Sequence, residues 1–159
     1  MFEELLGLPA HPLLVHAAVV FGPLLVASVF GYALVPPLRK YLGWVVVLLS
    51  VTAPFALWFA KLSGEALERK RIRDGAPAKT LAEINNHQHF GNLTLWWGIA
   101  LGVLGIVLVL AVTAAGKKPT TTSSRVVTWG LIVLSLVTAA ILGYYVFKTG
   151  DSGARMVWT

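Results

Sequence analysis

Four runs of this chain carry no Asp, Glu, Lys or Arg: residues 13–35, 41–60, 90–116 and 126–147. Each holds 20 residues or more, and a helix of about 20 residues crosses the roughly 30 Å hydrocarbon core of a bilayer. Inside lipid every backbone N–H and C=O must be satisfied internally, which only helices and closed barrels achieve. The runs show none of the period-two alternation that barrel strands need. The chain therefore reads as all-α, an integral membrane up-down four-helix bundle forming a single domain over residues 1–159. Charge agrees with this. Only 13% of residues are charged, against about 25% in a soluble domain, so most of the chain never meets water.

Aromatic side chains bracket the runs. Trp44 and Trp129 open the second and fourth, Trp58 closes the second, Trp96 and Trp97 lie in the first turns of the third, and Tyr144 and Tyr145 close the fourth. Their apolar rings with polar tips favour the two headgroup levels. The acidic start, with Glu3 and Glu4, is unlike the basic opening of a secretory signal, so the first run is expected to be a retained span. Residues 36–40 and 117–125 read as short turns. Residues 61–89 are longer. Glu65 to Arg73 should continue the second helix beyond the membrane, Gly75 and Pro77 should break it, and Thr80-Leu81-Ala82-Glu83 has the form of a capping box with Thr80 as N-cap. No sequence repeat links the two halves. Pro23 and Pro54 free the carbonyls four residues earlier and are expected to mark kinks.

Membrane helices approach through small residues. Pro23, Ala27 and Gly31 form such a stripe on the first helix, Thr52, Ala56 and Ala60 on the second, and Gly91, Gly98, Gly102 and Gly105 on the third. These stripes are expected to face the bundle interior. A second, lipid-facing small-residue stripe would point to a homo-oligomer, and Ala139, Ala140 and Gly143 on the fourth helix do not decide it.

His16 is the one ionisable side chain within a run apart from tyrosine hydroxyls, and His11, His87 and His89 sit just outside. An even up-down bundle collects all four at one membrane interface. At about 100° per residue, His16 points within roughly 60° of the first stripe and His87 within roughly 60° of the glycine stripe, whereas His89 is turned outward. His11 precedes Pro12 and should stand at or before the helix start. Two inward imidazoles on facing helices suit a b-type haem, with His16 and His87 as axial ligands and His11 as an alternative ligand. Phe21, Phe90 and Trp97 are candidates to line it. The other reading is a zinc, copper or iron ion held by His11, His16 and His87 with Glu65. Counted along the second helix, Glu65 points away from its small-residue stripe and has Lys61 and Arg69 at spacing four, which suits an ion-pair ladder. The blander alternative is a histidine that only locks helices together by hydrogen bonding.

The sequence has no cysteine, which removes disulfides, iron–sulfur clusters, thiolate zinc sites and covalent haem attachment. No nucleophile elbow, phosphate loop or intramembrane acid pair is present, so independent enzyme activity is not expected. The net charge of +6 fits loops facing anionic lipid better than a nucleic-acid surface. The short loops hold Arg39, Lys40, Lys117, Lys118 and Arg125 and no acid, while the other side holds eight Lys/Arg and all seven acids. The first helix, acidic before and basic after, places the termini and histidines outside.

His11-Pro12-Leu13-Leu14-Val15-His16, preceded by Gly7-Leu8-Pro9-Ala10, resembles the opening motif of an uncharacterised family of predicted bacterial four-helix membrane proteins. Ser63-Gly64-Glu65 and His87-x-x-x-Gly91 resemble it too, while Gln88-His89-Phe90 departs from it, so His89 is not carried over as a ligand. The resemblance implies a bacterial inner-membrane location and the four-helix layout, and that His11, His16, Glu65 and His87 matter together. It implies no activity. Beside the haem and metal readings stands a third, a non-enzymatic accessory subunit docked to a larger membrane complex or redox partner.

Overall fold

A computed structural model describes residues 4–5, 7–116 and 121–158. Four long helices run up and down: α1 (Ala10–Leu34), α2 (Arg39–Arg73), α3 (Ala78–Ala115) and α4 (Thr122–Trp158). All four are long and apolar enough to cross a membrane. Ahead of α1 lies a minimal antiparallel pair, β1 (Glu4–Leu5) and β2 (Leu8–Pro9), with Glu4 opposite Pro9 and Leu5 opposite Leu8. A 3-10 turn, Pro36–Leu38, links α1 to α2. The expected turn at 117–120, with Lys117 and Lys118, lies outside the described residues.

Sequential helices pack side by side and α4 closes back on α1, which leaves α1 and α3 diagonal. The main core joins all four helices: Leu25 and Val29 of α1, Val46 of α2, Leu101 and Leu108 of α3, Ala139 and Leu142 of α4. A second cluster, Ala18, Leu57, Ala60 and Leu95, lies toward the histidine end. Trp44, Trp58, Trp96, Trp129 and Tyr144 are all exposed on the bundle's outer surface, as rings at a lipid boundary should be.

The glycine stripe of α3 does face inward, and it sets the closest helix approach. A Cβ added at Gly102 would stand 2.5 Å from the Ser50 carbonyl oxygen and 3.2 Å from Pro54 Cγ. Pro54 cannot donate to Ser50, and α3 passes against that freed carbonyl. Both α1 and α2 continue through their prolines as unbroken helices. On α2, Ala56 and Ala60 are buried as expected and Thr52 is half-buried.

Two expectations are corrected. On α1, Pro23 and Ala27 are exposed; the buried face is Ala18, Gly22, Leu25, Val29, Tyr32 and Ala33. Helix faces in lipid can carry small residues outward as well as inward, so Pro23 and Ala27 did not mark the core, while Gly31 packs against Leu42 of α2. At the α2–α3 connection, α2 closes with a Schellman pattern: the Gly75 N–H donates to Ile72 O at 3.1 Å and the Ala76 N–H to Arg71 O at 3.0 Å. Gly75 takes φ +73°, a left-handed conformation that suits glycine. The helix restarts at Ala78 with Pro77 as N-cap, and the Leu81 N–H already donates to Pro77 O. Thr80 therefore lies inside the first turn and is not the cap. Glu83 instead approaches Lys79 at 3.8 Å.

Candidate functional site: a histidine pair at one end of the bundle

The α1 start decides the site. Pro12 falls in the first turn of a helix that begins at Ala10, where the missing N–H has no intrahelical partner to lose. His11 is thus inside the helical frame. It lies within about 40° of Leu25 on the helical wheel, whereas His16 lies about 180° from it. Accordingly His11 is half-buried at the bundle centre and His16 is exposed, with its Nδ1 folded back onto the Pro12 carbonyl oxygen. His87, on the glycine face of α3, is half-buried as expected.

The structure therefore brings together His11 and His87, from diagonal helices, and leaves His16 out. The two rings meet edge to face, with centres 6.3 Å apart and planes at 80°. His11 Nδ1 lies 3.1 Å from the Ala60 carbonyl oxygen and 3.1 Å from Ser63 Oγ. His87 Nδ1 lies 2.9 Å from Ser152 Oγ, and the His87 ring also hydrogen-bonds the Thr149 backbone. A carbonyl oxygen only accepts, so His11 Nδ1 donates to that of Ala60; Ser152 Oγ gives its own proton to the Thr149 carbonyl oxygen, so it accepts from His87 Nδ1. Each neutral ring then keeps its lone pair on Nε2.

Glycines make room for both rings. A Cβ at Gly64 would stand 3.2 Å from His11 Cε1, and one at Gly153 would stand 3.0 Å from His87 Cε1. One half of the bundle thus supplies His11, Ala60, Ser63 and Gly64; the other supplies His87, Thr149, Ser152 and Gly153. No sequence repeat links the halves, yet both holders use the same spacing i, i+3, i+4 on α2 and on α4. The match is invisible to a linear repeat search. His11 stands in the first turn of α1, and His87 is the tenth residue of α3.

The other sequence candidates lie elsewhere. Glu65 is half-buried and forms an ion pair with Lys61. Among the described residues, no three His, Asp or Glu side chains stand close enough to share a metal ion. His89 is exposed and its ring packs on Phe90. Phe21 and Trp97 pack against the main core. Phe90 lines a groove of about 410 Å³ between α3 and α4, with Glu83, Asn86, Lys148, Asp151 and Ser152.

The chain belongs to the family described as predicted membrane protein (DUF2231). The family model matches residues 7–159, from just before His11 through all four helices. No curated protein and no solved structure matches the chain. Family membership thus agrees with the membrane-spanning bundle and leaves the chemistry to be argued from the side chains.

Sequence reasoning missed Ser152, Gly153 and the role of Ser63. The available signal was the dipeptide Ser-Gly, present at 63–64 and again at 152–153, each just beyond a charge-free run.

Proposed function

We propose that this membrane protein binds a b-type haem with His11 and His87 as its axial ligands, for electron transfer or redox sensing. The observation that carries the reading is the His11–His87 pair, with each Nδ1 hydrogen-bonded to its neighbouring helix and the ring centres 6.3 Å apart. A metal about 2.0–2.1 Å from one nitrogen of each ring has its two ring centres at most about 6.4 Å apart, when the ligands are opposed; a tetrahedral ion brings them to about 5.2 Å. The observed separation lies within reach of opposed ligands once both Nε2 atoms turn toward the metal. The donor count points the same way, because two imidazoles alone fall short of the four ligands zinc takes, whereas haem iron arrives with four nitrogens and needs only axial partners. When bound, the haem supplies one-electron chemistry; the chain supplies the ligands, the hydrogen bonds behind them and a largely apolar bundle. By the charge of the short loops and the start of α1, the histidine end faces out of a bacterial inner membrane.

The absorption spectrum of the detergent-purified protein, oxidised in air and then reduced with dithionite, tests the reading. A Soret band that shifts on reduction, with resolved α and β bands, is expected. His11→Ala and His87→Ala should each abolish it or greatly weaken haem retention. A featureless spectrum from protein made with ample haem supply overturns the proposal.

A second reading rests on the same pair. A single zinc, copper or iron ion would sit on the two Nε2 atoms, with water completing its shell. Elemental analysis tests it: stoichiometric metal in the parent protein, lost in His11→Ala, is expected.

A further inference from the structure

The serines beside the two histidines form hydrogen bonds of a particular sense. Ser63 Oγ donates to the Ala60 carbonyl oxygen at 2.9 Å, and Ser152 Oγ donates to the Thr149 carbonyl oxygen at 3.0 Å. A hydroxyl has one proton to give. With that proton on the carbonyl three residues earlier, each serine can only accept from the imidazole beside it. The His11 Nδ1–H is thereby shared between the Ala60 carbonyl oxygen and Ser63 Oγ, and the His87 Nδ1–H is given to Ser152 Oγ. Ser63 is fully buried, so water does not stand in for it.

We infer that Ser63 and Ser152 are paired positioning residues that act through His11 and His87. Each keeps an acceptor fixed beside Nδ1, which leaves Nε2 as the donor atom of its ring. The purpose of this arrangement rests on the haem reading, while its geometry rests on the hydrogen bonds alone. Partners behind a metal-bound histidine raise its basicity, and their loss typically weakens binding about ten- to a hundredfold. A more basic axial ligand favours the oxidised metal, so losing either serine should raise the midpoint potential. The same device serves both halves, and each serine should affect only its own histidine.

Two measurements on the full-length protein in detergent test this. The first needs no haem: ¹⁵N NMR of histidine-labelled protein reads the tautomer of each ring. Both His11 and His87 should be Nδ1–H in the parent chain. Ser152→Ala should introduce the Nε2–H tautomer at His87, while Ser63→Ala should leave the His11 Nδ1–H on the Ala60 carbonyl oxygen and shift the ring ¹⁵N signals of His11 alone. Ser63→Thr and Ser152→Thr should restore the parent signals. An Nε2–H tautomer in the parent, or ring signals of His11 and His87 unchanged in both alanine variants, overturns the positioning role. The second is redox titration of the haem-loaded protein, where each alanine variant should shift the midpoint potential upward and each threonine variant should return it. Parent potentials in both alanine variants likewise overturn the role while sparing the haem reading. Absence of haem bands overturns the haem reading while leaving the tautomer result to stand.

Discussion

The α1–α2 half and the α3–α4 half hold their histidines alike but support them differently. His11 sits in the first turn of α1, two residues from the β1–β2 pair. His87 sits in the middle of a continuous helix, with Gln88 next to it hydrogen-bonded to Glu68 of α2 at 2.8 Å. Just below, Thr94 and Thr149 share a hydrogen bond of 2.8 Å between α3 and α4. The local chemistry is matched while the mechanical backing is not. A helix terminus frays more readily than a helix interior, so the histidine end of α1 should open before that of α3. The comparison teaches that a symmetric site can be built from unlike sequences, because each holder needs only a carbonyl, a hydroxyl and an absent side chain at fixed helical spacing.

The largest expected effect comes from parting the halves. Gly102→Val places a branched side chain against backbone at Ser50 that cannot yield, so stability should fall by about 3 kcal/mol. Thermal unfolding in detergent measures this, and a parent-like midpoint would mean that the α2–α3 seam is softer than its geometry implies. Next come the ring seats. Gly153→Ala and Gly64→Ala each press a methyl group onto an imidazole, and haem retention should weaken by about 1 kcal/mol, or about fivefold. Gly153→Ala should do more, since its Cβ would come closer, 3.0 Å against 3.2 Å. Equal or reversed effects, read by haem loss to a competing acceptor, would break the ranking of the two holders. A smaller effect is expected from Thr94→Val, which removes the α3–α4 hydrogen bond at a cost of about 0.6 kcal/mol; denaturant titration of the detergent-solubilised protein reads it. The smallest belongs to His16→Ala. Its ring is exposed and bonded only to its own helix turn, so stability should stay within about 0.5 kcal/mol and haem bands should persist. Loss of those bands would put His16 back at the centre of the site.

Much of the fold was legible because lipid imposes one rule on every span. The charge-free runs gave all four helices, and Gly75 marked the break between α2 and α3. The helices extend past those runs, however, because their ends pack on one another outside the apolar zone: Ser63 and Ala66 are buried well beyond residue 60. His87 was legible through the glycines it shares a face with. His11 was not, since Pro12 read as a helix stop although a first-turn position tolerates it, and since Pro23 and Ala27 gave α1 a false inward face. With that face rotated, His16 took the place of His11. Ser152 was missed for another reason. Its partner is 65 residues away, and the repeated Ser-Gly dipeptide marks the place without saying that a histidine lies against it.

The histidine pair stands at the edge of the apolar zone, just before the charge-free runs 13–35 and 90–116 begin. A charge carried across the whole bilayer exchanges about 2.3 kcal/mol with each 100 mV of membrane potential. On the haem reading, an electron that reached His11 and His87 from the nearer aqueous face would cross almost none of that field. Exchange with a water-soluble donor or acceptor on that face would then be nearly electroneutral with respect to the membrane, and its equilibrium would be the same in an energised cell as in a detergent micelle.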